Sequence, residues 1–209
     1  MADLPAPNLK RLERYLAMVA HDSAYPAFGV SLAGMDEAGR GPLFGCVMAA
    51  CVVLPAEPLI PWVDDSKKLS AKRREAVYDE IMAHALYARV GEASAEEIDA
   101  INILNATRLA MERAAQEAPA TLCLIDAVTG LRLPFPLKPL LHGDAISYHI
   151  AAASIVAKVT RDRKMLALSE RYPDYGIERH MGYGTAFHLE ALRRYGPCPE
   201  HRKTFLRNL

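Results

Sequence analysis

Three apolar, β-leaning runs in this 209-residue chain stop at an aspartate, and that pattern constrains the fold more than any other feature. "GVSLAGMD" ends on Asp36, "TLCLIDA" carries Asp126 beside its end, and "PLLHGD" ends on Asp144. Short apolar runs bounded by turn signals read as buried strands. Sheet folds place their ligands where such strands stop. A second carboxylate, Glu37, directly follows Asp36, and the turn Gly39-Arg40-Gly41 follows both.

Helical patterns fill the intervals. Residues 8–20 predict a helix with Leu9, Leu12, Leu16 and Val19 on one face. "GVSLAGMD" and "CVMAACVVLP", separated by the glycine-rich turn, predict two neighbouring antiparallel strands. Ser70 is placed to cap a helix running to about His84, and "ALYARVGEA" follows as a third strand. Ser94 and Glu97 form a capping-box pattern opening helical segments to about Glu117, which Pro119 breaks. After "TLCLIDA" and a proline-rich loop at 134–139, "LKPLLHGD" predicts a further strand. Residues 145–170 predict a long helix whose "AAAS" segment is small enough to pack closely on a sheet, and a last helix covers about 185–195. The order implies an α/β fold with a central mixed β-sheet flanked by helices, plus a small C-terminal helical appendage.

Composition narrows the class. The longest apolar stretches, "CVMAACVVL" and "IAAASIVA", fall well short of the roughly 18 residues needed to span a bilayer. The N-terminus has no basic segment followed by an apolar core, so no signal peptide is expected. A soluble, cytoplasmic protein with no membrane contact is expected. Cys46, Cys51, Cys123 and Cys198 form no C-x-x-C pair and read as reduced thiols. The seven histidines show no paired ligand spacing for zinc. Net charge is zero but uneven: residues 158–209 carry 11 Lys+Arg against 6 Asp+Glu, and the remainder is acidic. Acids at the floor of a site with cations around its rim fit a polyanion partner; a solvated helical face is the ordinary alternative.

Bringing the acids together has an electrostatic cost. Two like charges about 4 Å apart repel by roughly 4 kcal/mol at an effective dielectric near 20. The acids have no cation among their own side chains, and a hard divalent cation removes the penalty. Two Mg²⁺ or Mn²⁺ ions about 4 Å apart stabilise both oxygens of an in-line phosphoryl displacement. The competing reading makes each aspartate a cap of a turn or helix, which Asp144, just before the long helix, fits well.

"DEAGRGPL" (36–43), "DSKKLS" (65–70), "LIDA" (124–127), "GDAISYHIAAASIVAKVTRDRKM" (143–165) and "GYGTAFH" (182–188) follow one another in that order. Together they resemble bacterial ribonuclease HII, the type-2 ribonuclease H, from about residue 9 to residue 207. The resemblance implies a ribonuclease H-like fold in one domain over 1–209, with a core at about 28–170 and a basic helical part at about 171–209. It implies metal-binding, catalytic carboxylates at Asp36, Glu37, Asp126 and Asp144, holding Mg²⁺ or Mn²⁺ in a two-metal site. It implies hydrolysis of the RNA strand of RNA–DNA hybrids, and incision 5′ of single ribonucleotides in duplex DNA, leaving a 3′-hydroxyl and a 5′-phosphate. Gly39, Arg40 and Gly41 would read the ribose 2′-hydroxyl, the group that separates RNA from DNA. Their lack of side chains at 39 and 41 would let backbone approach the sugar. Tyr183 would pack against the next sugar, and Ser66, Lys67 and Lys68 would contact phosphates. A monomer is expected.

Departures and rivals accompany the resemblance. Phe44 and Cys46 stand where many relatives carry smaller residues or proline, and Met181 where lysine is common. Lys158, Arg161 and Arg163 either face the duplex or form internal ion pairs; His188 has no assigned role. The rivals are the type-3 ribonuclease H, whose last acid is typically glutamate, and an inactive hybrid-binding module.

Overall fold

The computed structural model describes residues 8–25 and 31–207; Gly29 and Val30 of the first predicted strand, and residues 1–7 on which the signal-peptide reading rests, lie outside them. Strands β1 (Leu32–Ala38), β2 (Val47–Val53), β3 (Tyr87–Ala93), β4 (Leu122–Asp126) and β5 (Leu137–Leu140) form one sheet in the order β3-β2-β1-β4-β5. β1 pairs antiparallel with β2, and β2 with β3, while β4 runs parallel to both β1 and β5. The mixed sheet expected from the run order is therefore present.

The side-chain period of two divides the sheet between two helical layers. Ala33, Met35, Cys123 and Ile125 pack with α3 (Ala95–Ala115) through Ala106, Ala110 and Met111. Ala50 and Val52 pack on the opposite face with α4 (Tyr148–Arg171) through Ala151, Ala152 and Ile155. Leu124 meets Ile150 of α4, and a methyl group at Gly34 would collide with the His149 backbone. Small residues on both sides thus let α4 lie directly over β1, next to Asp36.

Helices α2 (Ala71–His84) and α6 (Ala186–Tyr195) begin at Ser70 and Thr185 caps, with α5 (Ile177–His180) between α4 and α6. The capping box at Ser94 and Glu97 is formed in both directions. α3 carries an unannounced kink at Asn102, with φ 65°, where the Asn102 side chain accepts from Asn105 N–H and recaps the following turns. Among the described residues, no helix is long and apolar enough to cross a membrane.

Helix α1 (Leu9–Ser23) corrects an expectation. Leu9 and Leu16 are exposed, at 78% and 50%, and the buried residues are Tyr15, Met18 and Asp22. Polar anchors turn the helix: Asp22 accepts from Ser147 Oγ and His149 N–H at 2.9 Å, and Arg14 pairs with buried Asp64. An apolar period marks a face, but a buried carboxylate must be satisfied and overrides it.

Candidate active site

β1 and β4 run parallel with Gly34 beside Leu124 and Met35 beside Ile125, so the ladder brings Asp36 alongside Asp126. Both acids point to the α4 face, because Gly34 and Leu124, two residues earlier on each strand, do so. Asp36 and Glu37 lie inside β1 and not beyond its end; Asp126 is the last residue of β4. Asp36 is buried and accepts from Glu37 N–H at 2.8 Å and from the Ser154 hydroxyl. Burial, reinforced by Glu37 and Asp126, pushes its carboxyl well above the usual range. Burial also raises Glu37, against the opposing pull of Arg40, whose Nη1 lies 3.3 Å away.

Asp126 Oδ1 accepts from Gly143 N–H at 3.1 Å, which ties β4 to the 3₁₀ turn Gly143–Ala145 carrying Asp144. Asp144 does not cap the long helix. Ser147 does, its side chain accepting from Ile150 N–H, while Lys67 Nζ lies 3.2 Å from Asp144. Lys67 and Arg40 are therefore cations among the acids, contrary to expectation. Burial would lower the Lys67 ammonium, but Asp144 outweighs it and the net direction is up.

Asp36, Glu37 and Asp126 open on one cavity of about 370 Å³, with Ser66, Lys67 and Tyr183 on its walls. Asp144 joins the group through Lys67. Among the described residues, no three acid, imidazole or thiol groups close around a single point. Uncompensated carboxylates repel, and Lys67 and the Gly143 amide draw Asp144 and Asp126 aside. The donor set nevertheless suits a hard cation: all four acids offer oxygen only, and Glu37 Oε2 is buried with no hydrogen-bond partner.

The turn after β1 differs in detail from expectation. Gly39 adopts φ +95°, and a methyl group there would collide with Arg161 Nε. Its glycine is thus demanded by the protein interior. Gly41 is exposed, and a methyl group there would meet only Tyr183 Cε1, at 3.6 Å. Leu43 N–H bonds Gly182 O at 2.9 Å, which holds the Tyr183 segment against this turn. Ser66 is buried, with its hydroxyl 2.9 Å from that of Ser154, so it braces the residue that touches Asp36. Lys68 turns to Asp65, 3.4 Å away. Phe44 and Cys46 are core residues packed near Met165 and Tyr175.

Ser154, Arg202 and His201 escaped sequence reasoning, and Arg161 and His188 take parts that it did not assign them. Ser154 and Arg161 fall on the buried face of α4 with Ala157 and Met165, a spacing that could have flagged them. Arg202 is wholly buried, although its "EHRKTF" context reads as solvated tail. His188 and His201 form a relay. Cys198 N–H donates to His201 Nδ1 at 3.0 Å, which leaves the His201 proton on Nε2, 3.1 Å from His188 Nε2. His188 then carries its proton on Nδ1 and donates to Tyr183 O at 2.9 Å. Both rings are neutral: burial lowers His188, and burial with His188 as neighbour brings His201 down to about 4. Lys158 pairs with Asp162, and Arg163 with Glu75, so these cations form internal ion pairs.

The family model described as Ribonuclease HII matches residues 33–208. The ribonuclease HII of Geobacillus kaustophilus is 50% identical over 196 residues, covering 92% of this chain and 75% of that protein. That of Syntrophotalea carbinolica is 52% identical over 176 residues, covering 83% and 84%. The crystal structure of ribonuclease H2 from Pyrococcus horikoshii OT3 superposes with a TM-score of 0.69 at 26% identity, covering 83% of this chain and 93% of that one.

Proposed function

This chain belongs to the ribonuclease HII family and is a ribonuclease H endonuclease, a hydrolase acting on the RNA strand of RNA–DNA hybrids with divalent metal, and on that premise we propose how its residues divide the work. Asp36, Glu37, Asp126 and Asp144 hold two divalent cations, Mg²⁺ or Mn²⁺. Bound there, the ions supply Lewis-acid charge for in-line displacement at the scissile phosphate. The chain prepares their place by burying Asp36 beside Glu37 and Asp126, which pushes the Asp36 carboxyl up, and by leaving Glu37 Oε2 without a partner. Lys67, which pairs with Asp144, would with Lys68 contact the phosphate backbone.

The amides of Gly39-Arg40-Gly41 face the 2′-hydroxyl of the ribonucleotide, and Tyr183, 46% exposed, packs on the adjoining sugar. This selects the bond on the 5′ side of a lone ribonucleotide in duplex DNA and yields a 3′-hydroxyl and a 5′-phosphate. Such an activity serves ribonucleotide removal from the genome, by a cytoplasmic monomer built as one domain with a basic helical part at about 171–209. The observation that carries the reading is spatial: the Asp36–Asp126 pair, the unpartnered Glu37 oxygen and Tyr183 share one cleft. The test is incision of a duplex containing one ribonucleotide, with Mg²⁺, Mn²⁺ or chelator. Metal-dependent cutting at that site and none on all-DNA duplex is expected; comparable cutting of all-DNA duplex would overturn the selection.

A further inference from the structure

Arg161 and Arg202 are the two largest fully buried side chains among the described residues, and neither touches a carboxylate. A buried guanidinium ordinarily requires an anion. Here carbonyl oxygens take that place. Arg202 donates to Gly39 O at 2.6 Å, Arg40 O at 2.9 Å, Gly45 O at 2.8 Å and Cys46 O at 3.1 Å. Arg161 donates to Cys46 O at 3.2 Å, Met181 O at 3.1 Å and Phe44 O at 3.4 Å. The segment carrying Arg202 is itself fastened to the same loop, by Arg202 N–H to Leu43 O and Gly45 N–H to Glu200 O.

In a trans peptide the carbonyl and the following N–H point in opposite directions. Gly39 O shares a peptide with the Arg40 N–H, and Arg40 O with the Gly41 N–H. Since Arg202 draws both oxygens inward, it turns both amides outward, at two exposed residues. Neither amide has a hydrogen-bond partner among the described residues. A cation on the carbonyl also polarises the peptide and makes its N–H the stronger donor.

We infer that Arg202 is a positioning residue for ribose selection: its guanidinium, with Arg161 alongside, fixes the Arg40 and Gly41 amides as a donor pair facing the substrate. The inference rests on the reading that this turn meets the 2′-hydroxyl. A neutral amide side chain could satisfy at most two of the four carbonyls, and a lysine would keep the charge but lose the planar fork.

The test compares Arg202→Gln and Arg202→Lys with wild type in chelator, below the melting temperature of each. Fluorescence anisotropy measures affinity for a duplex with one ribonucleotide and for its 2′-deoxy counterpart. Wild type is expected to prefer the ribonucleotide. Arg202→Gln should lose about tenfold of that preference and Arg202→Lys a smaller part, with deoxy-duplex affinity and calorimetric Mn²⁺ affinity little changed. An unchanged preference in the variants overturns the inference alone. An equal fall on both duplexes also overturns it, since that marks a merely structural role. Absence of any preference in wild type sinks the reading of the turn, and this inference with it. If the glutamine variant does not fold, the lysine variant decides on the same criterion.

Discussion

Asp36→Asn should make the metal-free protein more stable, and the gain should grow with pH. The β1–β4 pairing sets Asp36 beside Asp126, and adjacent strands lie about 4.8 Å apart. Two full charges at that separation repel by about 3.5 kcal/mol at an effective dielectric near 20. Asparagine keeps an acceptor for the Glu37 amide and the Ser154 hydroxyl, so little is lost in exchange. The sign follows from the direction of the shift. Folding raises the Asp36 carboxyl, so the wild-type fold is favoured when this group is protonated and loses stability as pH climbs above the unfolded value near 3.9. The difference between variant and wild type should therefore widen by up to about 1.4 kcal/mol per pH unit. It levels off only once the pH passes the folded carboxyl's own midpoint. For a chain of this size each kcal/mol moves the melting temperature by about 2–4 °C, so the gap should widen by up to roughly 5–10 °C between pH 5 and pH 7. Thermal melts in chelator across that range measure it, and Mn²⁺ should close the gap by stabilising wild type more. A gap that stays flat with pH, or an asparagine variant that melts lower, would refute the repulsion argument and make Asp36 a structural acceptor.

The two glycines of the turn should part company: Gly39→Ala, which would press a methyl onto Arg161 at φ +95°, should cost more than about 2 kcal/mol in urea unfolding, whereas Gly41→Ala should fold normally and lose cleavage. Equal stability of the two variants would contradict this. His201 is depressed to about 4, so the stability of its neutral relay with His188 and Cys198, under stacked His180, is complete above about pH 6.5 and lost as pH falls toward 4. About 3 kcal/mol is at stake, and His201→Gln should flatten that part of the urea-midpoint profile. Neutralising Lys67 and Lys68 together should reduce the salt slope of hybrid affinity by about 0.9 for each phosphate they neutralise, without moving the cut; an unaltered slope in titrations at several salt concentrations would remove the loop from the phosphate backbone.

How much was legible depended on how far each cause reached along the chain. The strands and the Ser70 and Ser94 caps are written locally, in alternation and in side chains three residues apart, and they formed as expected. The acids were legible as punctuation of apolar runs, and β1 and β4 do carry Asp36 and Asp126 to one place. What failed was decided by distant partners. The leucine stripe of α1 lost to Asp22, which answers to Ser147 and His149 more than 120 residues on. The competing reading of Asp144 as a helix cap stayed open because nothing nearby reveals that Ser147 takes that part and Lys67 takes the carboxylate. Gly39 looked open to a ligand because its occupant, Arg161, approaches from another element. A buried arginine carries no local mark, since its carbonyl partners have no side-chain signature.

The fastening of residues 200–202 onto the loop at 43–46 has a consequence for the order of events in folding. The bridge between Phe44 and His201 and the Arg202 hydrogen bonds span about 160 residues of chain. The loop at 43–46 is also held by Arg161 of α4, so its place is fixed only once α4 has docked, and this closure belongs among the last steps. A folding intermediate would then hold its acids in register on β1 and β4 while the turn beside them is still unset. Pulse-labelled amide exchange reads this at Gly45, whose N–H gains its acceptor at Glu200 only when that late closure occurs. Protection there as early as in β1 would contradict it. Until the closure occurs, the chain holds its carboxylates together without the frame that sets the turn beside them, so the turn proposed to select the bond is the last part of the site to form.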